Sequence, residues 1–409
     1  MIASALVLSA GYAEAVVHPT PLPYPDANAG QQMGEDVAVC DGLSAVGCPL
    51  CGNAGLVFVY RDATHVDVIS YPGTQTGARF GESLALSDDC RVLVAGAPGD
   101  DTLGENVGRI FVFARISGTD LYAYETTLYG ANYAPYDEWG GEVAISPSGK
   151  TIAGGAYAAN NYAGKVSVFW GNNWFQQRML QFTDLDPTDF AGAAITLSDD
   201  TLVATASIDE NVYGELGSFY VFQRHWPNTN VWGQRIRGAI PGAFQLGYSV
   251  DMLGRRVALG APMDGDFPGP GAVYIIELFG GAFSVEARIE APTPQYEAGF
   301  GASVSLFSNL LAVGEPGRDG SASGAGTTYL FRKPSAGSWT PTSEFRPLEA
   351  QWDDWFGLAL DGYGGTLVFG APFADAFGED SGNAYRDVLQ NIFCNGFEDG
   401  TTDSWSPRP

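Results

Sequence analysis

The sequence predicts an all-β fold built as a ring of seven repeats, and three observations carry that expectation. The first is composition: 54 Gly, 24 Pro and 13% aromatic residues against only 16% charged ones in 409 residues. That is the balance of aromatic strands joined by glycine turns. The second is a glycine recurring at Gly34, Gly81, Gly140, Gly192, Gly247, Gly301 and Gly357, with separations of 47, 59, 52, 55, 54 and 56 residues. The third is a second anchor at Gly47, Gly96, Gly155, Thr205, Gly260, Gly314 and Gly370, always 13 or 15 residues after the first. Those offsets differ by two, the side-chain period of a strand, so a longer hairpin keeps every side chain on its own face.

Each copy then reads as four strands. The first leaves the first anchor, and the second ends at the second anchor. There a proline such as Pro98 or Pro372 follows, which stops a ladder because it has no N–H. The third begins at another glycine and alternates apolar and aromatic residues, as from Gly55 to Tyr60, Gly108 to Phe113 and Gly326 to Phe331. The fourth is looser, as in Trp174 to Phe182 or Phe283 to Ile289. Four antiparallel strands repeated at about 54 residues make a seven-bladed β-propeller. A sandwich has no reason for a sevenfold period, and a solenoid uses shorter units with caps.

The propeller spans residues 23–390, between an N-terminal segment (1–22) and a C-terminal tail (391–409). The last copy loses its pattern after Tyr385, while Tyr12 to Pro21 resembles Phe283 to Pro294, the outer strand of copy five. The N-terminal segment is therefore expected to supply the outer strand of blade seven, closing the ring and covering an open edge. The same stretch has a short apolar core and a cleavage-like Ala13-Glu14-Ala15, with no Lys or Arg ahead of it, so it also reads as an incomplete secretory signal. Cleavage after Ala15 leaves Val16 to Pro21 for pairing.

Five cysteines allow at most two bridges. Cys48 and Cys51 form a CxxC. A redox centre needs a strand-to-helix context, and zinc needs two more ligands, which His18, His65 and His225 are too dispersed to offer. A local disulfide or buried thiols is the expectation. Cys40 and Cys90 fall near the first hairpin turns of neighbouring copies, where a bridge between them is expected. Acids outnumber bases 47 to 20, giving net charge −27. Such a surface repels phosphate backbones, so nucleic acid is excluded as a general partner. No run of 18 apolar residues exists, so no helical membrane insertion is expected.

Phe80-Gly81 followed by Gly96-Ala97-Pro98, and Phe356-Gly357 followed by Gly370-Ala371-Pro372, resemble the FG-GAP repeat of the integrin α-subunit propeller. Phe300-Gly301 with Gly314-Glu315-Pro316 and Leu246-Gly247 with Gly260-Ala261-Pro262 are near matches, and copy four, with Thr205-Ala206-Ser207, departs furthest. The resemblance implies a secreted or cell-surface binding or adhesion module whose partner is a glycan or an extracellular protein. In that family calcium is often held in the first hairpin. Here the hairpin is a tight turn, such as Ser87-Asp88-Asp89, so the repeats resemble the calcium-loop-free type of bacterial secreted proteins and no cofactor is required.

Antiparallel order puts the two–three and four–one loops on one face, the long-loop face, where binding is expected. Its candidate ligand-binding residues are Asp100, Asp101, Asp264, Asp266, Trp352, Asp353 and Asp354. Asp184, Asp186 and Asp189 form the candidate calcium loop, since hard cations take oxygen ligands; the alternative is that such acids cap turns. Trp139, Trp352 and Trp355 are placed to stack on sugar rings, unless Trp139 and the Trp355-Phe356 pair fill the wedge between blades. An enzyme is not expected: the repeats leave no room for a catalytic domain, and no GxSxG or HExxH occurs. The alternative function is a structural or assembly component that contacts other proteins.

Overall fold

The computed structural model describes residues 15–389, apart from 25–27, 183, 211–215, 226–230, 266–268, 321, 336 and 377. Seven antiparallel sheets circle a central channel. Their innermost strands are Val37–Val39, Leu84–Leu86, Glu142–Ile145, Ile195–Leu197, Val250–Leu253, Ser303–Phe307 and Leu360–Tyr363. Among the described residues the only helical segments are one four-residue and one three-residue turn, and no helix is long and apolar enough to cross a membrane.

The two sequence anchors have a common cause. In every blade the backbone N–H of the first donates to the carbonyl of the second, from Gly34 to Gly47 at 2.8 Å round to Gly357 and Gly370 at 2.9 Å. The second anchor then abuts the next blade: a Cβ on Gly314 would lie 2.0 Å from the Gly357 carbonyl oxygen. At the one exception, Thr205, the facing Gly247 yields the space.

The core fills the wedges between blades. Phe80 is fully buried and meets Phe111 and Phe113 edge-on at 5.8 Å, over Val57, Val59 and Leu93. Trp139, Phe300 and Phe356 take the equivalent place elsewhere and are equally buried. Each such side chain contributes about 1.5–3 kcal/mol on burial.

Polar side chains stitch the innermost strands together around a cavity of about 600 Å³. Asp36 accepts the Leu84 N–H of blade two at 2.6 Å, Asp251 that of Leu306 in blade six at 2.6 Å, and Asp361 that of Val39 in blade one at 2.8 Å. Glu142 does the same with Ile195 of blade four. Ser83 and Ser303 donate to the Gly140 and Gly357 carbonyls of their neighbours. Burial raises all four carboxyls, Asp36 and Asp361 to about 7, and each feels a like charge from another of the set or accepts enough hydrogen bonds to soften the rise, as Asp251 does.

The N-terminal segment does close blade seven. Thr20 and Pro21 pair antiparallel with Arg386 and Tyr385, and Leu22 N–H donates to Ala384 O at 2.8 Å. The expected strand is shorter than the likeness to copy five implied. Ala15–Val17 instead pairs parallel with Ser343–Phe345 of blade six, making that sheet five-stranded. Pro19, which has no N–H to donate, lies between the two pairings. Further on, the Tyr60 hydroxyl donates to Pro23 O at 2.9 Å, so the segment straps blades six, seven and one.

Both expected disulfides are present. Cys40–Cys90 joins blades one and two, with Cα atoms 5.6 Å apart, and Cys48–Cys51 closes a turn of blade one. All four cysteines are buried, which fits a structural role rather than redox chemistry.

Candidate functional site

Neighbouring long loops hydrogen-bond to each other and so form one continuous face. Tyr136 N–H donates to Glu105 O at 2.8 Å, Thr188 N–H to Asn161 O at 3.1 Å, and Asp353 N–H to Ser323 O at 3.0 Å. Nine tyrosine and tryptophan side chains are exposed among the described residues, and eight of them lie on this face: Tyr129, Tyr133, Tyr136, Tyr162, Tyr248, Tyr296, Trp352 and Trp355. Tyr124, on the outer strand of blade two, is the ninth.

Of the sequence candidates, three stay at this surface. Trp352 is 72% exposed and Asp353 beside it is also exposed, while Asp101 accepts the Asn106 N–H of its own loop at 2.7 Å. The other acids are structural. Asp100 is fully buried and accepts from the Tyr71 hydroxyl (2.5 Å), Arg109 Nη2 (2.6 Å) and Thr102 N–H (2.8 Å). Burial would raise its carboxyl, but those donors hold it below the usual value. Asp264, 1% exposed, accepts from the Tyr274 hydroxyl (2.9 Å), Arg288 Nε (3.0 Å) and Phe244 N–H (3.2 Å). Asp209 of blade four repeats the pattern with Tyr220 and Arg237, each at 3.0 Å. Asp354 is buried against the Gln351 N–H at 2.6 Å, and burial raises its carboxyl. Asp266 lies outside the described residues.

Asp184, Asp186 and Asp189 do not converge. Asp184 is exposed and 3.9 Å from Arg237, whereas Asp189 turns inward to accept the Asp186 N–H at 2.6 Å. That is the turn-capping alternative. Among the described residues no three His, Cys, Asp or Glu side chains are grouped to hold one ion. Trp139 fills the wedge, but Trp355 does not: it is 41% exposed and packs edge-on against Phe373 at 5.2 Å.

The channel mouth on this face carries groups of which sequence inspection singled out only Trp355. Residues two before each first anchor, Gln32, Arg79, Glu138, Phe190, Gln245, Gly299 and Trp355, all have positive φ. For the six non-glycines that backbone costs about 1–2 kcal/mol each. Arg79 reaches Glu82 at 3.1 Å and Glu138 at 3.2 Å, and the Tyr157 hydroxyl donates to Glu138 at 2.7 Å. Burial lifts Glu82 to about 7, with Arg79 opposing and Glu35 and Glu138 adding to the rise. Phe190 stacks on Tyr162 at 5.2 Å. The mouth is thus charged on blades one to three and aromatic toward blades four and seven. Its sequence signal was the side chain preceding each aromatic-glycine pair.

Residues 69–113, from the outer strand of blade one through the third strand of blade two, match the FG-GAP repeat family. The chain is a seven-bladed β-propeller, one repeat of which matches the FG-GAP family. Among solved structures it is similar to the WD40 repeats of RRP9, with a TM-score of 0.55 at 13% identity over 92% of this chain and 99% of that one. It is also similar to a Bacteroides uniformis protein named for 6-phosphogluconolactonase activity, with a TM-score of 0.53 at 14% identity over 79% and 86%. At such identities the likeness is one of fold alone. No curated protein matches the sequence.

Proposed function

We propose that this propeller is an extracellular binding module that takes a glycan on its long-loop face, without turning it over and without a bound metal. The segregation of eight of nine exposed tyrosine and tryptophan side chains to that face supports the reading. Such rings offer large, rigid contact area at low entropic cost and stack on the apolar faces of sugars. Exposed acids beside them, Asp101 and Asp353, accept hydroxyl protons and repel anionic ligands.

A second reading, contact with an extracellular protein, draws on the shape of the face. A cavity of about 220 Å³ beside blade six is shallow for a small molecule, while a broad aromatic surface suits a protein partner. A glycan array run with wild type and Trp352→Ala tests both. Trp352 is 72% exposed, so its removal leaves the fold intact. The glycan reading expects at least one specific ligand and an affinity loss of about tenfold in the variant, in the range of one base-like stacking contact. An array without hits overturns it in favour of a protein partner.

A further inference from the structure

We infer that blade six contains a buried binding site for a neutral, hydroxyl-bearing ligand, held between Glu315, Thr327, Tyr329 and Arg318. Glu315 ends the second strand of the blade, Leu310–Glu315, and sits directly across from Thr327 on the third strand, Thr327–Arg332. Tyr329 is two residues further along the same face, opposite Glu344. Glu315 and Thr327 are fully buried and Tyr329 is 1% exposed.

Both Glu315 carboxylate oxygens, the Thr327 hydroxyl, the Tyr329 hydroxyl and Arg318 Nε make no hydrogen bond of good geometry within the protein, although Tyr329 and Arg318 lie close enough to Glu315 to pull its carboxyl down. Buried polar atoms are almost always satisfied, so five orphans in one place point to a partner from outside the chain. Their chemistry selects it. The carboxylate needs donors, Arg318 Nε needs an acceptor, and the two hydroxyls take either, so the ligand must donate and accept at the same atom. Glu315 and Glu344 repel an anion; Arg318, 3.5 Å from Glu315, and Arg346, paired with Glu344, repel a cation. A neutral hydroxyl satisfies all of these, whether it belongs to water or to the vicinal diol of a small polyol. The 220 Å³ cavity lined by Gly320, Ala325, Gly326 and Arg346 reaches the residue before Thr327, and none of the four site side chains lines it.

Crystals of the intact chain, grown without polyol and then transferred to glycerol, test the site, with Glu315→Gln and Glu315→Ala treated alike. Alanine is what five other blades carry at this position, so the second variant retains the fold. The expected result is a non-protein oxygen within hydrogen-bond distance of Glu315 and Thr327 in wild type and in E315Q, and its loss in E315A. If that oxygen remains water in glycerol, water is the ligand. If a glycerol hydroxyl replaces it, and glycerol raises the melting temperature at least twice as much in wild type as in E315A, a polyol is. The proposal is overturned if Glu315 turns to bond Tyr329 and Arg318 directly with no non-protein oxygen between them. It is equally overturned if the same density persists in E315A, which would make it an adventitious additive only.

Discussion

Blades five and six contain the same kinds of residue in a different order. In blade five, Asp264 sits four residues after the second anchor and is fully satisfied by Tyr274, Arg288 and the Phe244 N–H. In blade six the equivalent positions hold Arg318, Tyr329 and Glu344, so acid and base have exchanged places. The extra acid, Glu315, stands where five blades have alanine and blade one has Cys48. A carboxylate there lies inside the strand register rather than on a loop that can bend toward donors. Burial therefore dominates and raises it to about 7, although Arg318 and Tyr329 pull the other way. Conserving charges does not conserve hydrogen bonds, and in a buried site the hydrogen bonds decide.

The largest effect expected from this contrast is in blade five. Asp264→Ala leaves Arg288 and Tyr274 without their shared acceptor and should cost about 3–5 kcal/mol by chemical denaturation; a loss below about 1 kcal/mol would break the comparison. In blade six the corresponding deletion has the opposite sign. A carboxyl whose folded pKa lies near 7 instead of 4.5 favours the folded state when protonated. Its stability contribution is complete below the unfolded value and is lost as pH rises through 7. Relative to wild type, Glu315→Ala should gain about 3 kcal/mol between pH 4.5 and pH 8, at about 1.4 kcal/mol per unit. Parallel pH profiles for the two proteins would refute this. Installing the blade-five order in blade six (E315A, R318D and E344R together) should add about 1.5–3 kcal/mol to the single variant by giving Tyr329 and the new arginine a common acceptor. The smallest effect is that of calcium: neither blade groups three carboxylates, so adding calcium or a chelator should leave the melt unchanged.

The fold was legible because its signals are backbone requirements. Gly314 cannot carry a side chain 2.0 Å from a neighbouring carbonyl, and that constraint recurs once per blade at constant phase. Cys40 and Cys90 were legible for the same reason, since repeat alignment put them at neighbouring turns. The acids were not. Asp100 and Asp264 look like exposed loop ligands in sequence, and only the folded chain brings Tyr71 and Arg109, or Tyr274 and Arg288, over them. The sequence left Trp355 open between stacking surface and wedge: Phe356 fills the wedge, and left-handed backbone at Trp355 turns its ring outward. Glu315 was visible as Gly-Glu-Pro in place of Gly-Ala-Pro, but one substitution says nothing of burial until the register is known.

The N-terminal strap has a consequence for how the molecule is made. Ala15–Val17 and Thr20–Pro21 rest on strands that end at Phe345 and Val388, more than 300 residues downstream. A ribosome works from the N-terminal side, so the strap emerges long before the strands it pairs with. The strap residues must therefore wait, unpaired, until more than 300 further residues have followed them.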